Sequence, residues 1–201
     1  MEVIKNTNLS DREVSWGKNI TLLTKTDVKG NIEYVNENFL DVSGYDDYEL
    51  IGKPHSIVRH PDMPKIIFKM LWDKLKMGEN LHVIVKSLSK TGRYYWVITD
   101  YKTTRDLNGE IIAYTSKQQS VNEEIVLKFI EPLYKKLLQI EQTGGAEASE
   151  KYLIGFLEER NKTYDQYIED LVATGKDEVK KERNGGFFKF FFKRKISQAA
   201  F

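Results

Sequence analysis

The stretch Pro54-His55-Ser56-Ile57-Val58-Arg59-His60-Pro61-Asp62-Met63-Pro64 is the most constrained part of this 201-residue chain. Its three prolines limit backbone freedom and predict a non-helical loop of fixed shape. The loop carries hydrogen-bonding histidines, a fixed cation and an anion, which suit an anionic or heteroaromatic ligand. A second interpretation stays open from these residues alone: Asp62 caps a helix that begins near Met63 and pairs with Arg59, while the histidines lie on the surface.

Strand-like segments flank this loop on both sides. Residues 20–26 and 32–35 surround the turn sequence of residues 27–31, which predicts a hairpin. Residues 81–88, 94–104 and 111–120 predict a three-stranded meander, and an apolar stripe of helical spacing predicts a helix over residues 65–76. The fold class is therefore α+β, a five-stranded antiparallel sheet with short helices on one face. The stripe consists of Phe68, Leu71, Trp72 and Leu75.

From residue 122 the pattern becomes helical with charged faces. A first apolar stripe is interrupted by Pro132, a candidate kink, and ends at Gly144-Gly145; a second stripe begins at Tyr152. We predict an N-terminal cap segment (1–18), a sensor domain (19–120), a helical extension (121–172), and a charged linker with a Phe/Lys-rich tail (173–201). The two stripes comprise Ile125, Phe129, Leu133, Leu137 and Ile140, and Tyr152, Phe156, Tyr164, Ile168 and Leu171.

Composition excludes several classes of function. Thirty-one basic against thirty acidic residues leave a net charge of +1, which disfavours a nucleic-acid partner. The absence of cysteine excludes thiolate catalysis, cysteine-based metal sites and a cysteinyl flavin adduct. No phosphate-binding loop, dinucleotide fingerprint or nucleophile elbow is present, so we expect no enzyme. The start of the chain lacks the apolar stretch of a secretory signal, and the expected location is the cytoplasm.

Aromatic residues supply a second candidate contact for a planar ligand. Trp72, Tyr94, Tyr95 and Trp96 suit the core of a helix and sheet. Strand alternation places Tyr95 on the opposite face from its two neighbours, so one side receives a pair of aromatic residues, on which a planar ring can stack. A haem or metal site at His55 and His60 is a weaker alternative, because the third histidine, His82, falls in a predicted strand.

Several motifs together resemble the PAS domain of bacterial aerotaxis and energy-taxis receptors, over about residues 19–120. The R-H-P-D-M-P run at 59–64 resembles the branch that carries non-covalent FAD. Residues 121–172 resemble the helical extension of stand-alone cytoplasmic PAS partners in two-piece energy-taxis systems. The matching segments are Tyr34-Val35-Asn36-Glu37-Asn38-Phe39, Ser43-Gly44-Tyr45, Glu49-Leu50-Ile51-Gly52-Lys53-Pro54-His55, Val58-Arg59-His60-Pro61-Asp62-Met63-Pro64, Trp72 and Tyr95-Trp96-Val97.

The resemblance implies FAD as cofactor and assigns residues to it. Arg59 and the histidines would neutralise the pyrophosphate or bond the adenine portion, Asn36 would engage a polar edge of the isoalloxazine, and Trp72 would stack on a ring. Two departures from the family pattern occur: Leu81 stands where the receptors have tryptophan, and Ser56 where asparagine commonly follows Pro-His. The residues assigned to the cofactor are Asn36, His55, Arg59, His60, Asp62, Trp72 and Tyr95.

The implied function is a cytoplasmic redox or energy sensor that signals to a membrane-bound chemotaxis transducer, with a PAS homodimer as a further candidate assembly. Two alternatives remain: a cofactor-free PAS interaction module, which Leu81 favours, and a haem-binding gas sensor. A flavin enzyme lacks support, because no second dinucleotide-binding domain is present. The tail FFKFFFKRK, from Phe187 to Lys195, has the composition of a basic membrane-interface anchor; the alternatives are a disordered end or a partner-docking peptide.

Overall fold

A computed structural model describes residues 9–183, with side chains for residues 9–174. The strands in this part of the chain are β1 (Leu22–Asp27), β2 (Ile32–Val35), β3 (Val83–Leu88), β4 (Tyr94–Arg105) and β5 (Ile111–Ser120). The helices are α1 (Glu37–Ser43), α2 (Asp47–Leu50), α3 (Lys65–Lys76), α4 (Glu123–Ile125), α5 (Glu131–Glu158) and α6 (Tyr164–Arg183). A 3-10 turn covers His55–Val58, and a π-helical turn covers Val126–Ile130.

The five strands form one antiparallel sheet in the order β2-β1-β5-β4-β3. This confirms the predicted fold class. The first and last strands, β1 and β5, are neighbours in the sheet. Strands β2 and β3 lie at its opposite edges, so the segment between them must cross one face of the sheet. That segment contains the proline-rich loop and α3. We call the face that it covers the inner face.

Helix α3 packs its apolar stripe on the inner face. Ile67, Leu71 and Leu75 are buried in the core, and Phe68 and Trp72 pack against them partly buried, as the spacing predicts. Full burial of one such aliphatic side chain stabilises a fold by roughly 1.5–3 kcal/mol. The apolar stripe therefore determines which face of α3 packs against the sheet.

The β1–β2 turn brings backbone close to α3. The Asp27 carboxylate accepts hydrogen bonds from the amides of Lys29 and Asn31, both at 2.8 Å, and these bonds hold the turn closed. Gly30 has φ of +84°, and a Cβ at this position would lie 2.9 Å from the Trp72 ring. Only glycine satisfies both the conformation and the close approach.

The outer edge of β3 is covered rather than open. An exposed edge strand presents unpaired amides and carbonyls that template aggregation. Here the Tyr134 hydroxyl of α5 donates to the Ile84 carbonyl at 2.7 Å, and the Asp165 carboxylate of α6 accepts from the His82 amide at 2.7 Å. The helical extension is therefore docked onto the sheet domain.

The extension folds back on itself within α5. Gly145 has φ of +77° and interrupts the helix, and the Ser149 hydroxyl donates to the Leu137 carbonyl twelve residues earlier at 3.3 Å. A straight helix would separate these two residues by about 18 Å. The predicted break at Gly144-Gly145 is thus present. Pro132 is the second residue of α5 and directly follows the π-helical turn Val126–Ile130, so the regular α-helical pattern is interrupted just before the proline.

Helix α6 extends into the segment that the sequence predicts as a linker, and the cap segment pairs with the sheet. Helix α6 continues to Arg183, so residues 173–183, predicted as the start of a linker, are helical. Near the N-terminus, the Val14 amide donates to the Tyr94 carbonyl at 2.7 Å, which pairs the cap segment with β4. The tail from Phe187 to Lys195 lies outside the described residues.

Replacing Tyr134 by phenylalanine tests the docking of the extension. Tyr134→Phe leaves the buried Ile84 carbonyl without its donor and removes the 2.6 Å bond to the Tyr164 hydroxyl, so we expect a loss of about 1–3 kcal/mol in unfolding free energy. Tyr152→Phe on the same helix is the control, because Tyr152 is 38% exposed, and should change stability by less than about 0.5 kcal/mol. Urea denaturation measures both; equal losses would contradict the assignment.

Candidate functional site

A cavity of about 500 Å³ lies between the inner face of the sheet and α3. This volume falls in the range of roughly 300–1,000 Å³ that is usual for small-molecule sites. Its lining divides into a polar sheet wall, an apolar helix wall and a basic mouth. The main lining residues are Thr24, Thr99, Ser116 and Gln118 of the sheet wall, Leu71, Trp72 and Leu75 of the helix wall, and Lys29, Arg59, Lys65 and Lys69 of the mouth.

The sheet wall carries hydrogen-bonding groups on three neighbouring strands. Thr24 faces Ser116 across β1 and β5, and Thr99 faces Gln118 across β4 and β5. The Gln118 side-chain amide donates to the Ser116 hydroxyl at 3.0 Å. Within residues 9–174, the Thr99 hydroxyl and the Gln118 carbonyl oxygen have no hydrogen-bond partner. Among the fully buried side-chain atoms of the described residues, the Tyr95 hydroxyl is the one without a partner, so the two free atoms of the wall are accessible from the cavity and suit a bound ligand with a polar edge.

The helix wall is apolar and partly aromatic. The Trp72 ring meets the Tyr114 ring edge to face at a centroid distance of 5.7 Å. Leu71 and Leu75 continue this wall along α3. A planar ligand with apolar faces and polar edges matches an apolar wall opposite a polar one.

The mouth of the cavity is basic. The Arg59 guanidinium lies 3.8 Å from the centre of the Phe68 ring and forms no ion pair with any side chain in residues 9–174. Burial lowers the pKa of Arg59, and the Glu141 carboxylate opposes this effect. Lys69 is engaged differently, because it pairs with Asp73 and Glu150. The mouth cations without an ion pair in the described residues are Arg59, Lys29 and Lys65, and of these Arg59 is held in place by the Phe68 ring and offers a planar fork of donors to an anionic group.

His55 lines the cavity as a neutral side chain. Its Nε2 lies 3.0 Å from the Thr24 hydroxyl, and its amide donates to the Gly30 carbonyl at 2.9 Å. Burial lowers the pKa of His55 to about 4. At neutral pH this histidine supplies hydrogen bonds and no charge.

The residues of the R-H-P-D-M-P run lie in two regions, the cavity lining and the edge of β3. Arg59 lines the cavity, whereas the residues after it turn toward the edge of β3. The Asp62 carboxylate accepts from the Lys86 ammonium at 2.8 Å, and the Lys86 amide donates to the Met63 sulfur at 3.2 Å. The His60 Nδ1 accepts from the Asp62 amide at 3.1 Å, and burial together with Lys86 lowers the pKa of His60 to about 4. This half of the run fastens the loop to the sheet.

Of the seven predicted cofactor contacts, the structure brings His55, Arg59 and Trp72 together at the cavity. Asn36 does not line it, because its side chain is used locally: the carbonyl oxygen caps α1 at the Phe39 amide and accepts from the Leu23 amide at 2.9 Å. The remaining three predicted contacts, His60, Asp62 and Tyr95, also lie outside the lining; His60 and Asp62 belong to the loop fastening, and Tyr95 is fully buried in the core.

Sequence reasoning missed the polar sheet wall. Ser116 and Gln118 occupy alternate positions of a strand whose inner side is expected to be apolar, and Thr24 and Thr99 do the same on the neighbouring strands. Buried hydroxyl and amide groups at inward positions are the signal that identifies such a wall. Leu81, the departure from the family pattern, is buried and lies outside the cavity lining.

The sequence of residues 32–116 matches the family described as PAS fold. These residues have the PAS fold. The aerotaxis receptor of Escherichia coli (strain K12) is 41% identical over 134 residues, which are 66% of this chain and 24% of that receptor. A biofilm dispersion protein of Pseudomonas aeruginosa is 32% identical over 87 residues, which are 43% of this chain and 21% of that protein. The chain thus spans about a quarter or less of either relative.

Solved structures show the same fold. The light state of the blue-light photoreceptor Aureochrome1 LOV superposes with a TM-score of 0.51 at 19% identity, over 55% of this chain and 89% of that chain. A light-oxygen-voltage domain studied with a flavin analogue gives 0.51 at 22% identity, over 56% and 85%. Across the described residues, no helix combines the length and apolar character needed to cross a membrane.

Two glycine turns with the same backbone conformation test whether Gly30 supports the wall that Trp72 forms. Gly30 and Gly109 both have φ of +84°, and a Cβ at Gly30 meets Trp72 whereas one at Gly109 meets nothing within 4 Å. Each alanine variant should lose about 1–2 kcal/mol through its left-handed backbone. Only Gly30→Ala should also displace Trp72, which adds about 1–3 kcal/mol and changes the near-ultraviolet circular dichroism of tryptophan. Equal losses and unchanged spectra in both variants would show that Gly30 does not support this wall.

Proposed function

We propose that the cavity binds FAD non-covalently and that the protein is a redox or energy sensor. The observation that carries this proposal is a single cavity with a polar sheet wall, an apolar wall containing Trp72, and a basic mouth. The similarity to an aerotaxis receptor and the fold shared with a domain studied with a flavin analogue support it. When bound, FAD would supply reversible redox chemistry in which its charge and protonation change.

The two walls suit the isoalloxazine ring. Thr99 and Gln118 offer unpaired hydrogen-bonding atoms for the polar edge of the ring. Trp72 and the leucines of α3 provide an apolar surface for its face, and they exclude water from it. The amide of Gln118 both donates and accepts, so it accommodates either protonation state of a ring nitrogen or oxygen.

The mouth suits the pyrophosphate. Arg59 is a fixed cation with a planar fork of donors, which matches phosphate oxygens. The histidines are neutral at physiological pH, which favours the other role that the resemblance implies for them, hydrogen bonding to the adenine portion. His55 also orients the loop through Thr24 and Gly30. The lysines at the mouth add long-range attraction that depends on salt.

The proposed signal leaves the cavity along β5. Ser116 and Gln118 line the cavity, and α4 begins at Glu123, three residues after β5 ends. The Asn122 side chain accepts from the Glu124 amide at 2.8 Å and fixes this junction. A change in the bonding of Gln118 therefore acts on a strand that continues directly into the extension. A difference of about 1.4 kcal/mol between the two states would shift their ratio about tenfold.

In the cell we propose a cytoplasmic protein that signals to a membrane-bound chemotaxis transducer, as one part of a two-piece energy-taxis system. The aerotaxis receptor is similar over 134 residues, and the PAS match ends at residue 116, so the similarity continues into the extension. Homodimerisation through the PAS domain and membrane contact through the tail, which lies outside the described residues, remain predictions.

Titration of the full chain with FAD and riboflavin tests the proposal. Riboflavin carries the ring without phosphate, so we expect wild-type protein to bind FAD more tightly. Arg59→Gln should weaken FAD binding about 10- to 100-fold, the value of a charge-assisted hydrogen bond, and leave riboflavin binding nearly unchanged. Lys117→Gln, on the outer side of β5, is the control and should alter neither. Quenching of flavin fluorescence measures both affinities.

Two results would contradict the proposal. If wild-type protein binds neither flavin, the chain is the cofactor-free interaction module. If Arg59→Gln weakens FAD and riboflavin equally, Arg59 does not hold the phosphates, and the mouth is wrongly assigned.

A further inference from the structure

The N-terminus of α3 is capped from a distant part of the chain. Pro64 occupies the capping position and contributes no side-chain hydrogen bond. The Glu141 carboxylate of α5 takes this role, accepting from the Lys65 amide at 3.0 Å and from the Ile66 amide at 2.9 Å. A carboxylate is favoured at a helix N-terminus by both the free amides and the helix dipole. Glu141 is therefore a docking contact between the extension and the helix that forms the cavity wall.

The same carboxylate acts on the mouth of the cavity. Lys65 and Arg59 both line the mouth, and the charge of Glu141 acts on the Arg59 guanidinium without an ion pair between them. A second carboxylate of the extension, Glu150, pairs with Lys69 at 2.8 Å. The extension thus presents two negative charges to the positive groups that would bind a phosphate.

We propose that Glu141 is an internal competitor for the anionic part of the ligand. Phosphate at the mouth and the Glu141 carboxylate use the same positive region, so binding of a diphosphate and docking of α5 oppose each other. The identity of the ligand as FAD rests on the proposed function, whereas the competition concerns any diphosphate. Glu141 is a positioning residue, because it acts through α3 and Arg59.

Reciprocity gives this competition a consequence for signalling. If docking of α5 weakens diphosphate binding by some factor, diphosphate binding weakens docking by the same factor. Occupancy of the mouth then loosens the contact of α5 with α3 at Glu141, while Tyr134 of α5 and Asp165 of α6 keep the extension on the edge of β3. This route depends on phosphate and is separate from the route along β5, which depends on the ring.

Neutralising Glu141 tests the competition. In the wild-type protein the Lys65 and Ile66 amides donate to different oxygens of the Glu141 carboxylate. Glu141→Gln removes the charge and keeps one of these oxygens, so one of the two amides keeps its acceptor. We expect inorganic pyrophosphate and FAD to bind about three- to tenfold more tightly at low salt, the scale of one charge acting across a partly solvated mouth, with a smaller effect at high salt. Riboflavin affinity should not change. Isothermal titration calorimetry on the full chain measures all three ligands.

Two further variants sharpen the comparison. Glu147→Gln removes a charge from the same helix, where Glu147 is 80% exposed and pairs only with Lys151 among the described residues, and it should change no affinity. Glu150→Gln should strengthen pyrophosphate binding less than Glu141→Gln does, because Lys69 keeps its bond to Asp73. It also tests the competition independently if Glu141→Gln does not fold.

Hydrogen exchange measures the reciprocal effect. In wild-type protein, FAD should speed exchange of the amides of Lys65, Ile66 and the α5 residues around Glu141 relative to riboflavin, because only FAD carries phosphate. Slower or equal exchange with FAD would overturn the reciprocal effect and, with it, the competition.

The outcomes separate this inference from the proposed function. If FAD binds and Glu141→Gln, Glu150→Gln and Glu147→Gln leave pyrophosphate and FAD affinities equal to wild type, the competition is overturned and the flavin sensor stands. If FAD does not bind to wild type but pyrophosphate binds more tightly to Glu141→Gln, the competition is supported and the flavin sensor is overturned. If no variant binds either ligand, both are overturned.

Discussion

Helix α3 is held between the sheet and the extension, and this constraint connects the cavity with the rest of the chain. Leu71 and Trp72 form one wall of the cavity, and the first turn of the same helix is capped by Glu141 from 75 residues further along. Movement of α3 away from the sheet would open the cavity, and movement of α5 would leave two helix amides unpaired. The cavity and the extension therefore cannot change independently.

The distribution of charge explains why the small net charge of +1 is misleading. Arg59 and three lysines gather at one mouth, whereas the carboxylates that balance them lie on the extension and on α3 itself. The two histidines of the proline-rich loop stay neutral at physiological pH because burial disfavours their charged forms. An anionic ligand would thus meet a small set of cations, of which Arg59, Lys29 and Lys65 have no ion pair within the described residues.

Local patterns predicted the fold well. Strand alternation, turn residues and the stripe of α3 depend on neighbours in sequence, and β2, β5 and α3 begin and end at the predicted residues. The candidate site was predicted only in part, because its chemistry depends on where the chain turns. After the 3-10 turn that ends at Val58, Arg59 lines the cavity whereas His60 lies outside the lining. Composition alone does not predict this difference. Asn36 precedes a helix and has the ordinary role of an N-cap, which its position next to a helical segment indicates. The capping of α3 by Glu141 is long-range, and no local pattern predicts it.

The visible absorption spectrum of the native full-length protein tests the central claim most directly. The account predicts a yellow protein with the two bands of a bound flavin, which bleach on reduction and return on reoxidation. Denaturation should release a chromophore that chromatography identifies as FAD, because the proposed binding is non-covalent. A colourless protein that FAD does not reconstitute, or a haem Soret band in place of the flavin bands, would contradict the account.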